Sequence, residues 1–183
     1  AKTPLLLFDV QQRIESGTLA TFIDQAFLLN TPQSLTQGGT TAAQWLPEKG
    51  DLTVHRVEIL RGGEIIDVLA GGARYTVLRR ETALERRIID GSLTATMPVP
   101  GLRMGDILRV AYTVTVRDPV LGGNVQAQLP LIAEPLSVAY ARARLSWPAS
   151  ETVHWRTGPR MADAKFETVG GDRRVTVALP IAK

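Results

Sequence analysis

Alternation limits this chain's fold more than any other feature of its sequence. From Asp106 to Val116, the residues Leu108, Val110, Tyr112, Val114 and Val116 point one way, while Ile107, Arg109, Thr113 and Thr115 point the other. A strand sends successive side chains to opposite faces, so a period of two predicts a sheet with one buried and one wet face. The same period recurs along the chain. Leu6, Phe8, Val10, Gln12 and Ile14 share a face of a first strand, and Ser16-Gly17 turns into a second, with Leu19, Ile23, Phe27 and Leu29 facing one way. Thr31-Pro32 ends that strand. Ser137 to Trp147 alternates again, with Ala139, Ala141, Ala143, Leu145 and Trp147 opposite Arg142 and Arg144.

Turn residues punctuate these runs. Leu52 to Leu60 and Glu64 to Leu69 flank Arg61-Gly62-Gly63, the pattern of a tight hairpin. Tyr75 to Arg80, Leu93 to Met97, Thr152 to Arg156, Lys165 to Val169 and Arg173 to Leu179 read as further strands, the last two joined at Gly170-Gly171-Asp172. Gln33 to Gly50 is polar and Gly-rich and reads as a loop with room for one helical turn. Glu81 to Ile89 is ambiguous. Leu84 and Ile88 stand at helical spacing, but the strands around it favour a strand reading. The expected class is all-β, mainly an antiparallel β-sandwich, with at most one or two short helices. Residues 1–148 form the expected main domain, and 149–183 supply strands that complete the same sandwich. The chain opens inside one strand-like run and stops just after another, as a piece of a longer protein would.

Composition narrows the chemistry. With no cysteine among 183 residues, disulfides, zinc–thiolate sites and thiol nucleophiles are excluded within this chain. The formal charge of +3 comes from 17 Arg and 4 Lys against 18 acids. The arginines are spread in pairs (Arg79-Arg80, Arg86-Arg87, Arg173-Arg174) beside acidic residues, which argues against a nucleic-acid partner. No apolar run approaches the roughly 20 residues of a membrane span, and the start is too short in apolar residues for a signal peptide.

Catalytic motifs are missing. His55 and His154 are the two histidines, neither at metal-ligand spacing from another. His55 shares an expected face with Thr53, Val57 and Ile59. There is no Gly-x-Ser-x-Gly elbow and no phosphate loop. Asp9, Asp24, Asp67, Asp106 and Glu134 could pair as glycosidase carboxylates only if the fold brought two within about 5–10 Å, which spacing cannot show. No catalytic, metal-binding or cofactor-binding residue is therefore assigned.

One stretch carries a resemblance. Trp45-Leu46-Pro47 precedes the strand Leu52 to Leu60, the hairpin tip Arg61-Gly62-Gly63-Glu64, the strand from Tyr75, Ile89-Asp90-Gly91-Ser92-Leu93, and then Pro100-Gly101-Leu102-Arg103-Met104-Gly105-Asp106-Ile107-Leu108-Arg109-Val110-Ala111-Tyr112. The best-matched element is Pro-Gly-Leu-x-x-Gly-Asp-Ile-Leu-x-x-x-Tyr, in which Pro100-Gly101 sets a turn, Gly105 a second, and Asp106 caps the loop. Over residues 5–148 the chain resembles the bacterial domain of unknown function found N-terminal to transglutaminase-like domains in exported proteins. Its hairpin tip departs from the acidic-Gly tip more usual there. The resemblance implies a non-catalytic accessory or interaction β-sandwich, whose partner is a downstream transglutaminase-like Cys-His-Asp domain of the same polypeptide. It also implies a periplasmic or cell-surface location in a Gram-negative bacterium. The alternative is a module binding carbohydrate or cell-wall polymer, with Trp45 and Trp155 as candidate stacking platforms; a third tryptophan, Trp147, is a further candidate. A coplanar exposed pair of tryptophans would favour this alternative, and buried ones the accessory role.

Overall fold

The computed structural model describes residues 5–79, 91–129, 137–156 and 164–179. Eleven strands, one short α-helix and a single 3-10 turn at Pro119–Leu121 lie among them. The strands are β1 (Leu5–Glu15), β2 (Thr18–Leu28), β3 (Thr40–Trp45), β4 (Leu52–Arg61), β5 (Glu64–Asp67), β6 (Thr76–Arg79), β7 (Leu93–Pro98), β8 (Ile107–Val116), β9 (Val138–Pro148), β10 (Lys165–Val169) and β11 (Asp172–Leu179), and the helix is α1 (Pro32–Gly38). Eight strands make one sheet in the order β10-β11-β9-β1-β2-β8-β4-β5, and three make a second in the order β3-β7-β6. The fold is all-β with antiparallel pairing dominant, as the alternation predicts.

The large sheet has a consistent inner face. Across it, Ile59 pairs with Leu108, Leu108 with Phe27, Val10 with Ile23 and with Ala143, and Ala143 with Val177. Two covers bury that face. Val57, Ile59, Leu108 and Val110 pack with Met97 of the small sheet and with Leu29 and Val99. At the other end, Ile14, Ala141, Ala143, Trp147, Val175 and Val177 are covered by Val125, Ala127, Leu129 and Val153. Gln12, buried on this face, donates from Nε2 to the Gln128 carbonyl at 3.0 Å and so ties the covering loop to β1.

The Pro100-to-Asp106 element behaves as its residues require. Gly101 and Gly105 take φ of 76° and 90°, the left-handed region that side chains avoid. Asp106, 2% exposed, accepts from the Arg103 backbone N–H at 2.7 Å and from Arg61 Nε and Nη2 at 2.8 and 2.7 Å. The Arg61 hydrogen bond holds its carboxyl below the usual carboxylate range, against the upward pull of burial and with help from the Arg103 N–H. A lowered folded-state pKa stabilises the fold above the unfolded value of about 3.9. That stabilisation is lost as pH falls through the folded value. Asp106→Asn should therefore remove part of the acid-induced fall in stability below about pH 4, read from denaturant midpoints across pH; an unchanged slope would count against this role.

Several expectations need correction. Gln33 to Gly50 is not one loop, because it holds α1 and β3. Thr31 caps α1 through a reciprocal hydrogen bond with Ser34, and Pro32 occupies its first turn. β3 escaped notice because Thr-Thr-Ala-Ala-Gln-Trp has little hydropathy contrast; its pairing with β7 defines it. Thr152 to Arg156 is not a strand: it runs irregularly over the end of the sheet and anchors through Val153. His55 does not share a face with Val57 and Ile59. A bulge between Val54 and Arg56 puts it with Thr53 on the outer face, 2.7 Å from Thr113 Oγ1. Glu81 to Ile89 lies outside the described residues. One feature unforeseen by the alternation is that β9 pairs with β1 in parallel and stands between it and β11.

Candidate functional site

The outer face of the large sheet is charged yet closely covered at its centre. Asp9 and Asp24 sit directly opposite each other on β1 and β2, each 7% exposed. Two like charges opposed across a pair of strands repel, so each needs a counter-charge from its other neighbour. Arg142 of β9 grips Asp9, with Nε on Oδ1 at 3.0 Å and Nη2 on Oδ2. Arg109 of β8 grips Asp24 the same way, at 3.0 and 2.6 Å. Gln11 Nε2 adds a 2.9 Å bond to Asp9. The carboxylate pair that spacing alone could not reveal thus exists. All four of its oxygens face guanidinium groups, which suits a structural row better than acid–base work on a substrate. The pairing also holds both arginine pKa values above their ordinary range, chiefly through these side-chain hydrogen bonds.

The other candidate carboxylates do not join them. Asp67 caps its own turn by accepting from the Leu69 and Ala70 N–H groups. Asp106 belongs to the loop described above, and Glu134 lies outside the described residues. Among the described residues no group of three His, Asp or Glu could hold a metal ion.

At the β10 end the inner face is left partly open. Trp147 is buried at 3%, and Trp155 is 46% exposed and stacks on Phe166, ring centres 4.6 Å apart and planes inclined by 29°. With Thr168, Arg173 and Arg174 these rings line a shallow cavity of about 320 Å³. The Trp147 indole N–H is buried without a hydrogen-bond acceptor. Trp45, by contrast, is half-buried at the end of β3, opposite Leu93. The structure therefore does not bring Trp45 and Trp155 together. The exposed aromatic pair is Trp155 with Phe166, a partner that sequence reasoning missed because Phe166 lies in a strand whose burial pattern is open on both faces.

A second cavity, of about 550 Å³ and mostly apolar, opens between the large sheet and the α1–β3 segment. Leu5, Phe27, Gly38, Ala42, Leu108 and Val110 are among its walls. No helix among the described residues is long and apolar enough to cross a membrane.

No curated protein matches the sequence. Among solved structures, a chain described as a putative protease from Parabacteroides distasonis ATCC 8503 shares the fold with a TM-score of 0.68 at 14% identity. The likeness covers 98% of this chain and 36% of that one, so the chain spans about a third of its structural neighbour. The family model for a domain of unknown function with solved structure, DUF3857, matches residues 15–179, from the β1–β2 turn to the end of β11. By that match over most of its length, this chain belongs to the DUF3857 family.

Proposed function

We propose that this chain is a non-catalytic accessory β-sandwich of a longer exported bacterial protein, holding and orienting a transglutaminase-like Cys-His-Asp domain downstream of it. The observation that carries this reading is the lopsided coverage: nearly all of this chain corresponds to about a third of a protein described as a putative protease. The residues agree with it. Acyl transfer needs a nucleophile beside a base, and this chain has no cysteine. One of its histidines is bonded to Thr113, the other lies exposed in the irregular 151–156 segment, and the facing Asp9–Asp24 carboxylate pair is clamped by arginines. A periplasmic or cell-surface location goes with this role.

A second reading, a binding module for carbohydrate or cell-wall polymer, is favoured by the exposed Trp155–Phe166 stack beside Arg173 and Arg174. Stacked aromatic faces with flanking polar groups suit sugar rings. The tryptophans do not form the exposed coplanar pair that would make this the first choice.

One comparison separates the readings. The purified chain, and the parent polypeptide with and without it, are incubated with glutamine-donor peptides and peptidoglycan fragments. The accessory role predicts a silent chain and a parent whose turnover falls when the chain is deleted, with Trp155→Ala leaving retention on peptidoglycan unchanged. Retention by the isolated chain that Trp155→Ala abolishes would favour the binding module. Turnover by the chain alone, lost on a single Asp, Glu or His substitution, would overturn both.

A further inference from the structure

The outer face of the large sheet carries six arginines on β1, β4, β8, β9 and β11, and five of them have an acid. Arg109 holds Asp24, Arg142 holds Asp9, Arg13 holds Asp172 and Glu15, Arg56 lies 3.7 Å from Glu58, and Arg174 reaches Glu167 at 3.3 Å. Arg144, between the rows of Arg142 and Arg174, has no acid and no hydrogen bond among the described residues, and its Nε is buried with no acceptor.

The orphan groups around it are clustered. Thr176 of β11 is the direct partner of Arg144 across the β9–β11 ladder, and Arg174, two residues earlier on β11, lies diagonally across. Thr176 Oγ1 and Arg174 Nε are also buried and unpartnered. Three of the chain's five orphaned buried side-chain polar atoms among the described residues therefore meet on one patch of one face. Buried donors without acceptors are costly, and a guanidinium more so than a neutral group. Burial, followed by the charges of Arg142 and Arg174, pulls the Arg144 pKa down, against a smaller upward pull from Asp9 and Glu167. This is what a cation shows when it lacks its counter-ion.

We propose that Arg144, Arg174 and Thr176 form a carboxylate-binding site on the outer face of β9 and β11, filled by an acid that is not among the described residues. The ligand class follows from the available donors. Phosphate sites in proteins draw on clustered backbone N–H groups at helix N-termini or nests. Here the backbone N–H groups are committed to the β9–β11 ladder, so only side chains can donate. Planar guanidinium forks suit a planar two-oxygen acceptor, and the same face already uses this pairing twice, at Asp9 and at Asp24. The carboxylate comes either from a free organic acid or from an acidic side chain on a surface docked against the sheet.

The test follows the arginine Nε–Hε resonances of the chain during titration with succinate, with phosphate, and with sodium chloride at matched ionic strength. The proposal expects saturable shifts of the Arg144 and Arg174 signals with succinate at lower concentration than with phosphate, and none with chloride. Arg144→Gln should weaken succinate binding at least about tenfold, the loss of one charge-assisted hydrogen bond, and Thr176→Val should weaken it less. Because Arg144 has no partner among the described residues, Arg144→Gln should melt no lower than the parent sequence; should it fail to fold, Arg174→Gln and Thr176→Val carry the same comparison. Submillimolar binding of succinate identifies a free acid as the source. Weak succinate binding, with an Arg144 signal already displaced and unresponsive in the longer parent polypeptide, identifies an acidic side chain of that polypeptide. Tighter binding of phosphate, shifts that survive Arg144→Gln, or no saturable shift in the chain together with an undisplaced signal in the parent polypeptide would each overturn the site.

Discussion

Val110→Asp is expected to leave the domain unfolded under conditions in which the parent sequence is fully native. Val110 is 6% exposed on β8, packed with Val57, Leu108 and Met97 between the two sheets. Its ladder neighbours on that face are Gln25 of β2 and Val57 of β4, neither of them a cation. The substitution loses about 2 kcal/mol of apolar burial, and the carboxylate must then either stay ionised without a partner or take up a proton. Either route adds several kcal/mol, so the total approaches the whole 5–15 kcal/mol stability of an ordinary domain. The control lies three residues on. Thr113 faces outward beside His55, where a carboxylate meets an imidazole rather than a closed apolar core. Thr113→Asp should cost about 1 kcal/mol, in the range of ordinary surface changes. Circular dichroism melts of the two variants decide the matter; equal losses would mean that both faces of β8 are sealed alike.

That contrast also shows which parts of the molecule alternation could reveal. A period of two marks which face of a strand is apolar, and for β1, β8 and β9 the marked face is the buried one. It says nothing about which strands become neighbours. The β1–β9 pairing joins residues more than a hundred apart, and its parallel sense has no local signature. Alternation also misjudges the opposite face. Asp9 and Asp24 read as wet-side residues, yet both are buried, because arginines from the flanking strands lie over them. Nothing in the spacing of Asp9, Asp24, Arg109 and Arg142 could announce that row, since four strands contribute to it and their order is a tertiary fact. Local chemistry fared better where it was self-contained. Asp106 caps its loop as its position after Gly105 suggests, although the clamp from Arg61, on the hairpin tip, was invisible. His55 was misplaced by a single bulge residue, which inverts every face assignment beyond it. For the candidate binding groups, Trp155 was legible as an exposed-aromatic candidate although the strand expected around it is absent, whereas Phe166 and the orphaned Arg144 acquire meaning only from their neighbours in the sheet.

Gly50→Ala should be nearly as damaging as a core substitution, although Gly50 looks like an ordinary loop glycine in the sequence. Its φ is not in the left-handed region, so alanine meets no backbone strain there; the difficulty is space. A Cβ on Gly50 would lie 2.0 Å from the Thr115 carbonyl oxygen, 2.6 Å from its carbon and 2.9 Å from its Oγ1. Those atoms cannot step aside. Thr115 is held by β2 through its pairing with Ala20, its N–H donates to the Asp51 carbonyl at 2.9 Å, and its hydroxyl accepts from the Asp51 N–H at 2.9 Å. Relieving the clash therefore means opening the start of β4 from the end of β8, with loss of the 2.6 Å bond from the Arg117 N–H to the Lys49 carbonyl. A cost of about 3 kcal/mol, the upper end of the usual range for overpacking, is expected. Gly62→Ala separates clash from strain. Gly62 has a φ of 57° and nothing within 4 Å of a built Cβ, so alanine there pays only for the left-handed backbone, about 1 kcal/mol. Urea denaturation of the two variants should show the Gly50 midpoint falling about three times as far as the Gly62 midpoint at an unchanged slope. A Gly50→Ala midpoint within error of the parent would mean that β4 and β8 do not approach as closely as this ladder requires.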